Sequence, residues 1–381
     1  MRRPLLWKGS LALTLLLLAG SVLAAATIAV GPYVQNVSTD NATICWATLD
    51  GQVTCTAAGA ETMTGMAYTC HSVLLQDLEP GTTYSYDVLK DGTGAGKGSF
   101  TTVPEGEHAF SFSILGDTQG TENPAHQAAV QAVLAEKPDL VFNTGDLVSD
   151  GRDSSHWADF FQVNAELMRS IPYYPALGNH DRHSSLYFNF FALPGNEAYY
   201  SFDRGAAHFV CLDSPGLPDP ETNQPLTKEE HQRLDQARAQ YWQSQLAWLK
   251  EDLAAHSDAK YVFVLFHYPP YSVLKNRVEG LTAFRATFGT IFQDYRVSAV
   301  FNGHDHHFHH ALAGGVHFVT EGVGSGRPRA TDGAPLPESV KYAQVSGHMN
   351  VKVDANQATV RVIGMDGTVV DSFDLKPRTM Q

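Results

Sequence analysis

The residues able to do chemistry stand in five short clusters, each directly after an apolar run of strand character. Ile114-Leu115 runs into Gly116-Asp117-Thr118-Gln119, and Val141-Phe142-Asn143-Thr144 into Gly145-Asp146. Tyr174-Pro175-Ala176-Leu177 runs into Gly178-Asn179-His180-Asp181, Val264-Leu265-Phe266 into His267, and Val300-Phe301-Asn302 into Gly303-His304-Asp305-His306. One Gly-Asp after a strand is ordinarily a turn whose carboxylate accepts backbone hydrogen bonds. Five clusters of these types in one chain call for more, because ligands of α/β sheets bind beyond the carboxyl ends of the strands. The five should therefore converge. Carboxylate, amide oxygen and imidazole are donors suited to Zn, Fe or Mn, and the absence of thiolates from these clusters excludes a structural zinc finger. Two such ions about 3.5–4 Å apart acidify a shared water and clamp a phosphoryl group for in-line attack.

The elements that must position these clusters follow from the rhythm of the chain. From Thr27 to about Pro104, short alternating runs are broken by Gly, Asp and Asn. Ala42–Ala47 puts Ile44 and Trp46 on one face, Ser72–Leu78 is a second run, and Leu78-Glu79-Pro80-Gly81-Thr82-Thr83-Tyr84-Ser85-Tyr86 follows. Strands of this length and spacing predict a β-sandwich. After Pro104 the order is strand, loop, helix: a strand over Phe110–Leu115, a helix opened by Asn123-Pro124, a strand over Asp139–Phe142, and a helix over Tyr241–Leu253. Tyr261–Phe266 and Val297–Phe301 read as buried strands. The tail alternates over Met349–Val353 and Ala358–Ile363, with Asp366-Gly367 as a turn. The expected fold is an all-β sandwich over 27–104 followed by an α/β domain over 105–381, a β-sheet sandwich flanked by helices.

The 381 residues suffice for two domains, and 43% hydrophobic with 17% charged is a globular composition. With 26 Lys plus Arg against 40 Asp plus Glu, net charge −14, nucleic acid is an unfavoured partner, since phosphate backbones need clustered cations. Residues 1–26 read as a secretory signal peptide: Arg2, Arg3 and Lys8, an apolar core from Leu11 to Leu18, and Ala24-Ala25-Ala26 at the end. Export to the periplasm or the exterior is expected, with no stable membrane span after cleavage. Export permits a disulfide between two of Cys45, Cys55 and Cys70, while Cys211 reads as a core residue.

Asp117, Gly145-Asp146, Gly178-Asn179-His180-Asp181, Val264-Leu265-Phe266-His267 and Gly303-His304-Asp305-His306 resemble the motif blocks of calcineurin-like metallophosphoesterases. Within that family the chain is most similar to the purple acid phosphatases, whose fibronectin type III-like N-terminal domain the Leu-x-Pro-Gly-x-x-Tyr-x-Tyr string also resembles. The resemblance implies two metal ions, with Asp146 bridging them. Asp117 and His306 would bind the first ion; Asn179, His267 and His304 would bind the second. His180 would stabilise the transition state or protonate the leaving oxygen, with Asp181 orienting its ring. Two positions depart from the family. Ser149 stands where purple acid phosphatases carry the Tyr that colours them, so this protein should not be purple. Gln119 stands where many relatives carry His; as a ligand it would hold the first metal more weakly, so the second site should be the tighter.

His183 and Arg152 are candidates for contacting substrate oxygens, and His307, His309 and His310 are expected to pair with carboxylates or face solvent. The implied function is a secreted hydrolase of phosphate monoesters, acid phosphatase-like, acting through a metal-bound hydroxide on a small phosphoester. The alternatives are a phosphodiesterase with the same centre and a non-catalytic surface protein whose metal site has weakened.

Overall fold

The structure, a computed structural model, describes residues 6–7, 27–55, 63–90, 93–120, 124–218, 225–275, 277, 282–322, 324, 327–331, 333 and 335–379. Apart from Leu6–Trp7, the expected signal peptide lies outside the described residues. The N-terminal strands are β1 (Leu6–Trp7), β2 (Thr27–Gln35), β3 (Ala42–Cys55) and β4 (Met63–Leu75), in the order β1-β4-β3-β2, and the hairpin β5 (Thr83–Lys90) and β6 (Thr93–Thr101). Side-chain alternation along β3 decides what it packs against. Ile44 and Trp46 point into a cluster with Val34, Tyr86, Val88 and Phe100 of the other N-terminal strands. Cys45 and Ala47, on the opposite face, enter the main core with Phe161 and Phe190.

The disulfide that export would permit is not formed. Cys45 and Cys70 carry none, and every pair among the three N-terminal cysteines includes one of them; the side chain of Cys55 lies outside the described residues. The register explains this: Ala47 lies opposite Cys70 and Cys45 opposite Ser72. Cys45 and Cys70 are therefore diagonal neighbours, about 7–8 Å apart, beyond the span of an S–S bridge.

The chain continues through β7 (Phe110–Leu115), α1 (Pro124–Glu136), β8 (Leu140–Asn143), α2 (Ser154–Met168), β9 (Tyr173–Pro175) and α3 (Ser185–Phe190). Then come β10 (Tyr200–Arg204), β11 (Ala207–Cys211), α4 (Lys228–Ala255), β12 (Tyr261–Leu265), α5 (Thr282–Asp294), β13 (Ala299–Asn302), β14 (Phe308–Ala313) and β15 (Val316–Glu321). The last strands are β16 (Ser339–Ala343), β17 (Gly347–Val353), β18 (Ala358–Gly364) and β19 (Val369–Leu375). They form a six-stranded sheet, β19-β18-β17-β7-β8-β9, and a seven-stranded sheet, β10-β11-β12-β13-β15-β14-β16. Aromatic rings lock the two sheets face to face: Phe112 of β7 lies 5.1 Å from Phe209 of β11 and 5.2 Å from Phe263 of β12. The outer face of the larger sheet is covered by Leu249 and Leu253 of α4 and Phe288 and Phe292 of α5. Strands buried on both faces read as the unbroken apolar runs seen in the sequence.

One helix is longer than its apolar pattern. α4 begins at Lys228, well before Tyr241, because Thr227 and Glu230 form a capping box: the Thr227 N–H donates to the Glu230 carboxylate at 2.7 Å. Its first half is exposed and polar, so no hydrophobic period marks it. In the centre, β7, β8 and β9 run parallel, as do β11, β12 and β13. The carboxyl ends of β7, β8, β9, β12 and β13 therefore open on one edge of the sandwich.

Candidate metal centre

The turns leaving these strands are tied to one another by backbone bonds. The Asp117 N–H donates to Gly145 O at 3.0 Å, and the Gln119 N–H to Asp146 O at 3.2 Å. Asp117, Asp146, His304 and His306 all have positive φ, from 51° to 71°, a strained region for non-glycine residues that concentrates at functional sites. Gly178 is required by close approach: a Cβ there would lie 2.2 Å from Asp146 Oδ1.

The expected ligands meet. His267 Nε2 lies 3.2 Å from Asp146 Oδ2 and 3.1 Å from Asn179 Oδ1. His306 Nε2 lies 3.0 Å from Asp117 Oδ1, an oxygen that is buried and accepts no hydrogen bond. Donor atoms of Asp146, His267 and His304 fall within 4.8 Å of one another. His267 donates its Nδ1–H to Thr144 O at 3.0 Å, which fixes the ring and turns Nε2 to the centre. Burial lowers the His267 pKa, but the adjoining Asp146 charge outweighs it and raises the ring to about 9 without a cation. Burial and neighbouring positive charges hold the His304 ring far below the ordinary imidazole value, so its lone pair is free for a metal. Such a gathering of oxygens and ring nitrogens, with a buried carboxylate oxygen left unbonded, fits cations rather than a hydrogen-bonded core.

Gln119 is turned by its surroundings. With the amide nitrogen placed toward the main chain, it donates to Asp146 O at 3.1 Å and Asp117 O at 3.0 Å. The carbonyl oxygen then faces Asp146 Oδ2 and His306 Nε2, each 3.5 Å from that side-chain position. In this orientation Gln119 offers an oxygen donor to the same space as Asp117 and His306.

The expected pairing of His180 with Asp181 is not what forms. His180 Nδ1 bonds Ser149 O at 2.8 Å, which leaves Nε2 free, 4.0 Å from Asp146 Oδ2. The buried Asp181 carboxylate instead accepts the backbone N–H groups of Asp146 and Leu147 at 2.9 Å each and of Gly178 at 2.8 Å. The tight Gly178–Asp181 turn aims the carboxylate back at its own loop and at the Asp146 turn, away from the neighbouring imidazole.

His183 and Arg152 lie outside the ligand cluster, in a cleft of about 370 Å³ that begins at Asn179. His183 Nε2 is held by the buried Asp213, and the Arg152 Nε donates to Asp150 Oδ1 at 2.8 Å. Sequence reasoning missed Arg182, Arg238 and Tyr268, which line the same cleft. The Tyr268 ring packs 4.4 Å from that of His304, and its place after His267 was the available signal. The remaining histidines of the last cluster are structural. His307 Nδ1 faces Asp305 O at 3.1 Å, His309 bonds Ser339 Oγ at 2.8 Å, and only His310 meets a carboxylate, Asp371 at 2.8 Å. All three are buried, so none faces solvent, and the expected carboxylate pairing forms at His310 but not at His307 or His309.

Comparison with known proteins agrees with this geometry. The phosphoenolpyruvate phosphatase of Allium cepa is 25% identical over 284 residues, 66% of this chain and 53% of that protein. Purple acid phosphatase 23 of Arabidopsis thaliana is 24% identical over 280 residues, 62% of this chain and 56% of its own length. This chain thus spans about half the length of these curated relatives. Among solved structures, the purple acid phosphatase PPD1 from yellow lupin seeds superposes with a TM-score of 0.69 at 17% identity, covering 92% of this chain and 74% of the other. The calcineurin-like phosphoesterase family matches over residues 110–308, the stretch from β7 through His306 that supplies every donor described above, and the chain belongs to that family.

Proposed function

We propose that this chain is an exported, two-metal hydrolase of phosphate monoesters with a fibronectin type III-like domain over residues 27–104. The observation that carries the reading is the convergence of Asp117, Asp146, Asn179, His267, His304 and His306 at the ends of strands from both sheets. Asp117, His306, Asp146 and the Gln119 oxygen would hold one ion, and Asp146, Asn179, His267 and His304 the other. Fe, Zn and Mn all suit these donors. When bound, the pair supplies an acidified water and neutralises phosphoryl charge.

The rest is the work of side chains. Asp146, bonded by the His180 N–H at 2.7 Å, is fixed where it would serve both ions. His180 Nδ1–H is committed to Ser149 O, which leaves Nε2 facing the centre, so the ring in its imidazolium form is placed to donate the Nε2 proton to the departing oxygen. Arg2, Arg3 and Lys8 around the start of the apolar run Leu11–Leu18 support export, and the acidic net charge favours small phosphoesters over polyanions. Among the described residues, no helix is long and apolar enough to cross a membrane.

The test is metal analysis of purified protein together with turnover of p-nitrophenyl phosphate and its bis-ester. Two ions per chain and a higher rate on the monoester are expected. Asp146→Asn should lose metal, and His180→Ala should keep it while turnover falls about 10²–10⁴-fold. A diester preference would favour the phosphodiesterase, and full metal occupancy without hydrolysis would sink the enzyme reading.

A further inference from the structure

The cleft beside Asn179 is built of cations in a chain that is otherwise acidic. Arg152, Arg182, Arg238 and His183 line it, and among the described residues no Asp or Glu does. The whole sequence has 40 acidic against 26 basic residues, so three arginines on one small cleft are a local reversal of sign. They are not equivalent. Arg152 shares its charge with Asp150, and the Arg238 Nε is fixed on Leu217 O at 2.9 Å. The exposed Arg182 forms no ion pair among the described residues, and its charge reaches Asp150 only through space.

The position of these arginines relative to His180 gives them a direction. Arg182 is two residues beyond His180, and Arg152 adjoins Gly151, whose N–H donates to His180 O at 2.8 Å. They flank the group placed to protonate the leaving oxygen. The reacting phosphoryl group has its charge met by the ions and His180, whereas the cleft extends from Asn179 past Tyr268 to the 215–218 loop. A planar guanidinium fork matches a carboxylate or phosphate edge, and a cleft of this volume holds a small organic group.

Resting on the monoesterase reading above, we propose that this cleft is a second anion subsite. It selects phosphomonoesters and phosphoanhydrides whose leaving group itself carries a phosphate or carboxylate charge, and Arg182 is the residue that determines this specificity. Among the described residues the Arg182 guanidinium forms no ion pair, whereas Arg152 is paired with Asp150 and the Arg238 Nε is held by Leu217 O. His183, braced by Asp213, forms the wall against which such a group would lie.

The experiment compares three substrates of the metal-loaded protein: p-nitrophenyl phosphate, whose tail is uncharged, inorganic pyrophosphate and phosphoglycolate. Wild type is expected to prefer at least one of the charged pair, and Arg182→Asn to lower that preference about tenfold, with Arg182→Lys recovering part of it. Asn is chosen because Arg182 has φ 59°, a region Asn tolerates. A preference for pyrophosphate alone or phosphoglycolate alone assigns the anion. Calorimetric binding of pyrophosphate and phosphate gives a readout independent of turnover: Arg182→Asn should weaken pyrophosphate binding and leave the phosphate value nearly unchanged. Turnover of p-nitrophenyl phosphate tests the monoesterase reading by itself. An unchanged substrate ratio and unchanged pyrophosphate binding in Arg182→Asn would overturn the subsite.

Discussion

At the scale of single residues, Asp181 and His180 are neighbours with separate tasks. The Asp181 carboxylate collects the backbone N–H groups of Asp146, Leu147 and Gly178, so it shapes the turn that presents Asp146. Asp181→Ala should therefore leave those buried donors unpaired, cost about 2–4 kcal/mol of stability and weaken metal binding. His180→Ala should do neither. Denaturant midpoints and metal titrations of the two variants separate them; equal metal affinity in Asp181→Ala and wild type would contradict the bracing role. Ser149 likewise acts through its backbone, since its carbonyl holds His180. The Tyr268 ring packs against that of His304, and position 149 carries Ser and so brings no phenol to the centre. Iron-loaded protein should accordingly lack the visible tyrosinate band, and its appearance in an absorption spectrum would show that a Tyr had reached the metal.

At the scale of elements, the end remote from the metal centre is fastened by charge. His208 of β11 is fully buried with Nδ1 2.7 Å from Asp203 Oδ1 of β10 and Nε2 2.8 Å from Asp252 Oδ2 of α4. Burial lowers its pKa, but the two carboxylates outweigh burial and raise it above the ordinary imidazole value. His256 stacks on it at 3.8 Å, with Nε2 3.7 Å from Asp203. A raised folded-state pKa stabilises the native state below the ordinary value near 6.5, and that contribution is lost as pH climbs through the folded value. The stability gap between wild type and His208→Gln, from urea midpoints, should thus be larger at about pH 5.5 than at about pH 9. A gap that grows with pH would show that His208 is neutral in the fold.

At the scale of the whole molecule, the N-terminal sandwich is joined to the phosphoesterase portion by a shared core. Val30, Tyr33, Cys45 and Ala47 belong to the same apolar cluster as Phe161 and Phe190. Polar bonds fix the register: Gln35, fully buried, donates through Nε2 to Tyr173 O at 3.0 Å and accepts the Ala192 N–H at 2.9 Å. The Tyr86 hydroxyl donates to Arg169 O at 2.7 Å. Tyr173 lies in β9, the strand leading to Asn179 and His180, so the sandwich buttresses the element that carries them. Gln35→Ala should cost about 2–4 kcal/mol by leaving both backbone partners unpaired, and wild type should unfold in one transition by fluorescence and circular dichroism. Two separate transitions in wild type would show that the parts are independent.

The metal donors were legible in the sequence because each follows its strand by only a few residues. Apolar runs such as Val264-Leu265-Phe266 announce a strand buried on both faces, and the residue after it is delivered to the strand's carboxyl end whatever the rest of the chain does. The face assignment of Ile44 and Trp46 was legible for the same local reason, the two-residue period of a strand. What sequence could not settle were partners distant along the chain. Asp181 turned to the Asp146 loop and not to His180, His309 found Ser339 on the neighbouring strand β16, and His310 found Asp371 in the other sheet. Cys45 and Cys70 were separated by a register that no spacing reveals. The arginine-lined cleft is assembled from the Asp146 loop, the Asn179 turn, the 215–218 loop and α4. Short-range backbone geometry fixed which residues could reach the metals, whereas the packing of two sheets decided which buried polar group satisfied which other, and where charge gathered.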